Sequence, residues 1–342
     1  MSRCKQSTIK EVAQEAGVSI ATVSRVLNEQ SGVSEELAEQ VRMAVQKLHY
    51  QPNAIARALK NAQSRSIGLI IPDIENPFFP ALVRGVEDGA QKNGYAVILC
   101  NTDGNPQTEE RYIRFLLSKQ VDGILFVGNL DFEKNASWLA VLPVPMVLLD
   151  RRILGAPFST VLIDNEKGAF LAVEHLIKQG RKRIAIIGGK PQSSTSIERV
   201  KGAMDALKIY GYYRETQVIF NGYFSFEGGY QATQELLHSQ DTFDAIFAAN
   251  DMMAIGAMEC LVDHDRQVPH DVAVVGFDDI KMASWHKPSL TTVRQPVYEM
   301  GQIAVESMVK QLTGMITEPR DTILKPELIL RKSSGEKGDS YD

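Results

Sequence analysis

Polar and aromatic side chains recur in this 342-residue chain directly after short apolar runs. Asn76-Pro77-Phe78-Phe79 follows the run 67–71, Asp150-Arg151 follows 144–149, Asn250-Asp251 follows 245–249, and Phe277-Asp278 closes the run that begins at Val272. Arg199 lies in a helical stretch, Phe224 follows a short run near Val218, and Gln295 sits in an extended segment. Such a set suits recognition of a free monosaccharide. Aromatic faces cover the apolar C–H face of a sugar ring. Carboxylate and guanidinium groups, with Asn and Gln amides, grip vicinal hydroxyls through directed, charge-assisted bonds. Each member also has a plainer use. Phe78 and Phe79 could be core, Asp150-Arg151 a surface ion pair, Asp251 a helix cap, and Asp278-Asp279 a turn or a metal pair. Trp285 could be core or a cleft wall. No histidine or further carboxylate lies nearby in sequence, which argues against a metal site.

Signatures of reaction chemistry are missing. The chain has no G-x-S-x-G, G-x-G-x-x-G or H-E-x-x-H. Gly188-Gly189-Lys190 ends a strand-like run, but Pro191 replaces the Ser or Thr of a P-loop and no upstream glycine completes one. The six histidines are scattered, and Cys4, Cys100 and Cys260 give neither zinc spacing nor a disulfide framework. No enzyme and no cofactor are expected.

The elements that must hold these residues alternate. Strands are expected at 67–71, 97–100, 123–127, 144–149, 160–163, 184–187, 245–248 and 272–275, with a last strand around 323–330. Helices are expected at 81–93, 109–119, 168–179, 197–210, 229–239, 254–263 and 297–312. Strand–helix–strand order implies parallel sheets wrapped by helices, with room for two units of roughly six strands. Right-handed crossovers put ligand groups at the carboxyl ends of the strands. The fold class is therefore α/β, behind an all-α N-terminal module.

That module starts at 8–28. Thr8 and Glu11 form a capping box. Ile9, Val12, Ala13 and Ala16 share a face, Gly17 turns the chain, and Ser19 caps a second helix. Val23, Val26 and Leu27 point inward, leaving Thr22, Ser24, Arg25 and Asn28 outward. Ser34 caps a third helix with Leu37, Val41, Val45 and Leu48 on one face. A helix–turn–helix presenting short polar side chains and an Arg fits a DNA major groove. Charge agrees: residues 1–65 carry a net +3, leaving −8 of the overall −5 on the rest. A hydrophobic fraction of 44% fits a globular chain of two or three domains. No apolar run reaches the roughly 18 residues of a membrane span, and no signal-peptide core opens the chain, so a bacterial cytoplasmic location is expected.

The stretch Ala16-Gly17-Val18-Ser19-x-x-Thr22-Val23-Ser24-Arg25-Val26-Leu27-Asn28 resembles the headpiece of the lac repressor (LacI/GalR) family of bacterial transcription regulators. Tyr50-x-Pro52-Asn53-x-x-Ala56-x-x-Leu59 resembles that family's hinge helix. The resemblance implies a homodimer on a near-palindromic operator. Thr8, Ser19, Ile20, Ala21, Thr22, Ser24, Arg25 and Asn28 would be its headpiece contacts, and Asn53, Ala56, Arg57 and Leu59 its hinge contacts. Leu59 matches the residue that wedges into the minor groove, with Arg57 and Lys60 near phosphates.

The later chain resembles the D-ribose-binding periplasmic proteins. Matched positions are Asn76, Phe78, Phe79, Asp150, Arg151, Arg199, Phe224, Asn250, Phe277, Asp278 and Gln295. The contact from the second strand's loop has no secure counterpart, with Asn101 and Asn105 as candidates. Ribose-responsive repressors of the family share much of this pattern. The resemblance thus implies a sugar-operon repressor released by a monosaccharide, D-ribose or a close pentose. A phosphorylated carrier protein acting as corepressor, as in some catabolite-control members, is the alternative. The implied domains are a headpiece at 1–50, a hinge at 51–65, a body at 66–332 and a flexible tail at 333–342. In the body, lobe one takes 66–162 and 294–322, and lobe two takes 163–291 and 323–332. The tail has no leucine heptads, so no tetramer is expected.

Overall fold

The structure is a computed structural model that describes residues 7–27, 31–50, 63–128, 138–139, 141–153, 155–214, 219–239 and 242–335. The chain divides into two compact units, Met1–Ser64 and Arg65–Asp342.

Within the first unit, Ile9–Glu15, Ile20–Leu27 and Glu35–Lys47 are helices. Thr8 and Glu11 form the reciprocal capping box. Ser19 Oγ accepts from Thr22 N at 3.1 Å and caps the second helix. Val12, Ala13, Val23, Val41 and Ala44 close a small core, and an ion pair between Lys47 and Glu15 joins the third helix to the first at 2.7 Å. Leu37, expected inside, is 38% exposed; it lies in the first turn of its helix, beyond the reach of the shorter pair. The hinge expectation at 51–62, with Asn53, Ala56, Arg57, Leu59 and Lys60, lies outside the described residues, as does Asn28.

The second unit holds two six-stranded sheets. The first contains β1 (Ser66–Ile71), β2 (Ala96–Asn101), β3 (Gly123–Phe126), β4 (Met146–Leu149) and β5 (Ser159–Ile163), with β11 (Asp321–Leu324) at its edge. Its order is β11-β5-β4-β3-β1-β2, parallel throughout. The second contains β6 (Ile184–Gly188), β7 (Ile219–Asn221), β8 (Ala245–Ala248), β9 (Ala273–Asp278), β10 (Thr291–Arg294) and β12 (Glu327–Ile329). Its order is β12-β10-β9-β8-β6-β7, with only the β10–β12 pair antiparallel. The central strands are continuous apolar runs because helices cover both faces. Helices Phe78–Lys92 and Val297–Leu312 pack on one face of the first sheet and Pro106–Ser118 on the other. The second sheet is covered by Asn165–Lys178 and Ser194–Ile209 on one face and by Phe226–His238 and Asp251–Asp263 on the other.

Three expectations need correction. Apolar periodicity alone starts six helices three residues late; they begin at Phe78, Pro106, Asn165, Ser194, Phe226 and Asp251. Periodicity reads only the repeating apolar face, whereas four of these starts are fixed by side-chain caps from Asn105, Asp164, Ser225 and Asn250. The segment 323–330, expected as one strand, is two, broken at Lys325-Pro326 where proline removes a ladder donor. The lobe boundaries expected at 162, 291 and 322 fall one to three residues short of the ends of β5, β10 and β11. Finally, the expected flexible tail does not begin at 333. Ser333 and Ser334 are fully buried. Ser333 Oγ accepts from Thr291 N at 2.8 Å and donates to Val274 O at 2.6 Å. Ser334 Oγ meets Thr291 Oγ1 and His175 Nε2. The Ser333 hydroxyl thus satisfies backbone groups of β9 and β10, and that of Ser334 satisfies two buried side chains.

Candidate functional site

Both sheets reverse their strand order beside their first strand, β1 between β2 and β3 and β6 between β7 and β8. Such a switch point leaves a crevice at the carboxyl ends. A cavity of about 250 Å³ opens there, lined by residues following β1, β2, β4, β6, β7, β8, β9 and β10. It is smaller than the ~300–1,000 Å³ clefts that hold drug-sized ligands, so it suits a small one.

From the first lobe come Asn76, Phe78, Phe79, Asp150 and Arg151. The two Phe rings meet edge to face at 5.0 Å and are only 4% exposed, so they serve core and cavity together. Asn76 Oδ1 accepts from Phe78 N at 3.1 Å, shaping the turn into their helix. Asp150 and Arg151 are buried, which rules out the surface ion pair. Arg151 Nε stands 3.4 Å from Asp150 Oδ2. Burial pulls the Arg151 guanidinium down, opposed by the charges of Asp150 and Glu109.

The second lobe supplies Arg199, Phe224, Asn250 and Asp278, joined by Gln295 just after β10. Arg199 donates to Asn165 Oδ1 at 2.9 Å, Ala249 O at 2.7 Å and Asp278 Oδ1 at 3.2 Å. Gln295 Nε2 donates to the same Asp278 oxygen at 2.7 Å. Burial pushes the Asp278 carboxyl up to about 7, against the pull of Arg199. Asn250 caps the following helix through Met253 N and donates to Phe224 O at 3.1 Å. The Phe224 ring occupies the space where a side chain on Gly189 would stand.

Asp251 is not the cap. Its buried carboxylate accepts from Ile280 N and Thr292 Oγ1 and ties β9 and β10 to the helix beside them. Asp279 pairs with Arg294 and Arg331 and is structural. Trp285 is 68% exposed and does not line the cavity. Among the described residues, no group of three His, Cys, Asp or Glu is placed to hold a metal.

Of the expected cavity residues, Phe277 is the one that needs correction. It is fully buried in the second lobe's core, and its ring lies 3.8 Å beneath the Arg199 guanidinium. Successive strand residues point to opposite faces, so Phe277 and Asp278 cannot both face the cavity. It supports Arg199 from behind through a cation–π contact. Asn101 and Asn105 do not line the cavity either; Asp103 between them does. Asn101 orients Asp103 at 2.7 Å, and Asn105 caps a helix. The reading also missed Asp73, Lys190, Thr195, Tyr223 and Ser225. The strand-end rule that found Asp150 would have found Asp73, Lys190 and Tyr223.

Two features mark the cavity as built for a polar ligand. Asp150, Phe224 and Asp278 have φ of 62°, 65° and 120°, and Asp103 and Tyr223 also lie at positive φ. Non-glycine residues held there are strained, and such strain gathers at functional sites. Asp150 Oδ1, Arg151 Nε and Gln295 Oε1 are buried without a hydrogen-bond partner. Leaving such groups unpaired typically costs about 1–3 kcal/mol each.

In the first unit Thr8, Ser19, Ile20, Ala21 and Arg25 are exposed, and Thr22 and Ser24 are half-buried. The second helix thus presents a short polar face with one Arg.

Two sheeted lobes joined by three chain crossings, with a cavity at their strand ends and a helix–turn–helix ahead of them, define a regulator with a periplasmic-binding-protein-like body. The family of periplasmic binding proteins and sugar binding domains of the LacI family matches residues 64–332, and that of bacterial regulatory proteins of the lacI family matches 8–53. The chain belongs to the LacI family. It is 38% identical over 335 residues to the ribose operon repressor of Halalkalibacterium halodurans, covering 96% of this chain and 97% of that protein. The lac repressor dimer bound to operator and the anti-inducer ONPF superposes with a TM-score of 0.89 at 29% identity, over 96% of this chain and 99% of the other. A LacI family regulator from Enterococcus faecium with bound ribose gives 0.72 at 31% identity, over 78% and 98%.

Proposed function

We propose that this chain represses a sugar-utilisation operon as a homodimer and is released from its operator by a monosaccharide, D-ribose first among candidates. The carrying observation is the trio of buried, unpartnered polar atoms on Asp150, Arg151 and Gln295 in one small cavity. Sugar hydroxyls both donate and accept, so one ring can satisfy a carboxylate, a guanidinium and an amide oxygen together. The cavity lining carries four carboxyl groups against three cationic side chains, which fits an uncharged ligand better than a phosphorylated one. Phe78, Phe79 and Phe224 offer apolar faces for the ring. The ribose operon repressor at 38% identity and the ribose-bound relative support the pentose.

On DNA, the helix Ile20–Leu27 enters the major groove, where Arg25, Thr22, Ser24, Ile20 and Ala21 meet bases or phosphates and Thr8 and Ser19 the backbone. Asn28, Asn53, Ala56, Arg57 and Leu59 complete the contacts by sequence alone. Sugar binding draws the lobes together about their crossing strands and changes DNA affinity, a coupling of typically about 1–3 kcal/mol. No catalytic role is assigned. Among the described residues no helix is long and apolar enough to cross a membrane, in keeping with work in the cytoplasm.

The test is titration calorimetry with D-ribose, against ribose 5-phosphate, glucose and a purine, with operator binding followed by fluorescence anisotropy. Saturable heat with ribose alone, together with release of operator, is expected. No heat with ribose would move the effector to another sugar or to a phosphorylated carrier protein. Ribose-tightened operator binding would reverse the sign.

A further inference from the structure

Lys190 belongs to the cavity lining but not to its buried ion pairs. It follows β6 in the second lobe, and its half-buried side chain lines the cavity. Its ammonium pairs with no carboxylate among the described residues. It reaches across to the first lobe instead. A Cβ on Gly104 would stand 2.9 Å from Lys190 Nζ, so the ammonium rests against bare backbone in the loop after β2. Asp103, next in that loop, lines the cavity and is exposed, and half-buried Asp73 lines it from the loop after β1. Asn101 ties the two loops together, accepting from Ile74 N at 2.9 Å and donating to Asp103 Oδ1 at 2.7 Å. The rim therefore sets two carboxylates of one lobe against one ammonium of the other. Behind them each buried carboxyl faces a guanidinium, Asp150 beside Arg151 and Asp278 beside Arg199.

We propose that Lys190 is a positioning residue, an electrostatic clasp drawn to Asp73 and Asp103 that holds the lobes together over the cavity and so sets effector affinity. Glycine at 104 gives the ammonium its seat. The attraction acts between partly exposed groups, so it is modest and fades as salt shortens the screening length to about 3 Å near 1 M. The affinity consequence rests on the cavity being the effector site; the clasp itself does not.

The ligand-free test uses spin labels on exposed helix positions of the two lobes, Gln107→Cys and Gln231→Cys, with Cys4→Ser. The inter-lobe distance distribution is expected to lengthen with salt in the parent. Lys190→Met should show the long distribution at every ionic strength, as should Asp73→Asn with Asp103→Asn, and combining them should add nothing. Lys190→Arg should restore the parent's behaviour. A Lys190→Met distribution that coincides with the parent's at low salt overturns the clasp. In calorimetry with D-ribose, Lys190→Met should lower affinity roughly two- to fivefold at low salt and flatten its salt dependence. If the parent takes up no ribose, the sugar reading fails while the distance measurement still decides on the clasp.

Discussion

Asp278→Asn should separate binding from folding. The Asp278 oxygen Oδ1 accepts from Gln295 at 2.7 Å and Arg199 at 3.2 Å, and an amide oxygen of the same shape can accept both. Arg199 keeps its bonds to Asn165 and Ala249. Burial lifts the carboxyl to about 7, above the ~3.9 of an unfolded Asp, so the folded state favours its neutral form. Ionising it therefore costs stability as pH rises from about 4 to 7, and above 7 that loss is complete. The variant lacks this loss and should be as stable as the wild type at pH 7, and no less stable at pH 8. Ribose binding should suffer instead. A hydrogen bond to a charged acceptor contributes about 1.5–3 kcal/mol, so affinity should fall roughly 10- to 150-fold. Hydroxyls donating to the carboxylate favour its ionised form, so ribose uptake should release a proton. Wild-type affinity should then rise between pH 6 and 8, and the variant should lose that slope. Calorimetry in buffers of different ionisation heat, beside urea denaturation, reads both quantities. Unchanged ribose affinity, a retained pH slope or a collapse of the fold would each refute the reasoning.

Arg199→Lys keeps the charge but loses the fork to Asn165 and Ala249 and the stack on Phe277. It should destabilise the body by about 2–4 kcal/mol, read as a lower urea midpoint. Ser333→Ala leaves Thr291 N buried without its acceptor and should cost about 1–3 kcal/mol in thermal unfolding; an unchanged midpoint would return residue 333 to a loose tail. Arg25→Ala should weaken operator binding by about 1–3 kcal/mol while leaving ribose affinity unchanged, checked by anisotropy at several salt concentrations.

The sequence was most informative where one physical rule acts alone. Parallel strands buried on both faces read as plain apolar runs, and most landed within a residue or two. Capping chemistry at Thr8, Ser19 and Ser34 marks where the headpiece helices start. Reading stumbled where two rules overlap. Asn105, Ser225 and Asn250 look like loop residues, yet their caps start helices a turn before the first apolar position. Phe277 was aromatic and beside Asp278, which suited a sugar site, but strand alternation sends it to the other face. Asp103 was overshadowed by the two asparagines that flank it, of which Asn101 orients it and Asn105 caps a helix. Ser333 and Ser334 read as polar tail because sequence cannot show that they meet the backbone and hydroxyl of Thr291, some forty residues away.

The order of the two units along the chain has a consequence for the protein's birth. The headpiece is complete within the first 64 residues. Neither lobe of the body can be finished before residues 321–334 are made. The first sheet waits for β11, the second for β12, and central strand β10 for the hydroxyls of Ser333 and Ser334. At about 5–20 residues per second, a ribosome needs some tens of seconds to make that difference. For that interval each nascent chain carries a formed DNA reader and no means of hearing the sugar. The reader thus leaves the ribosome ahead of its restraint, and control in that interval depends on how firmly a headpiece without its body can hold an operator.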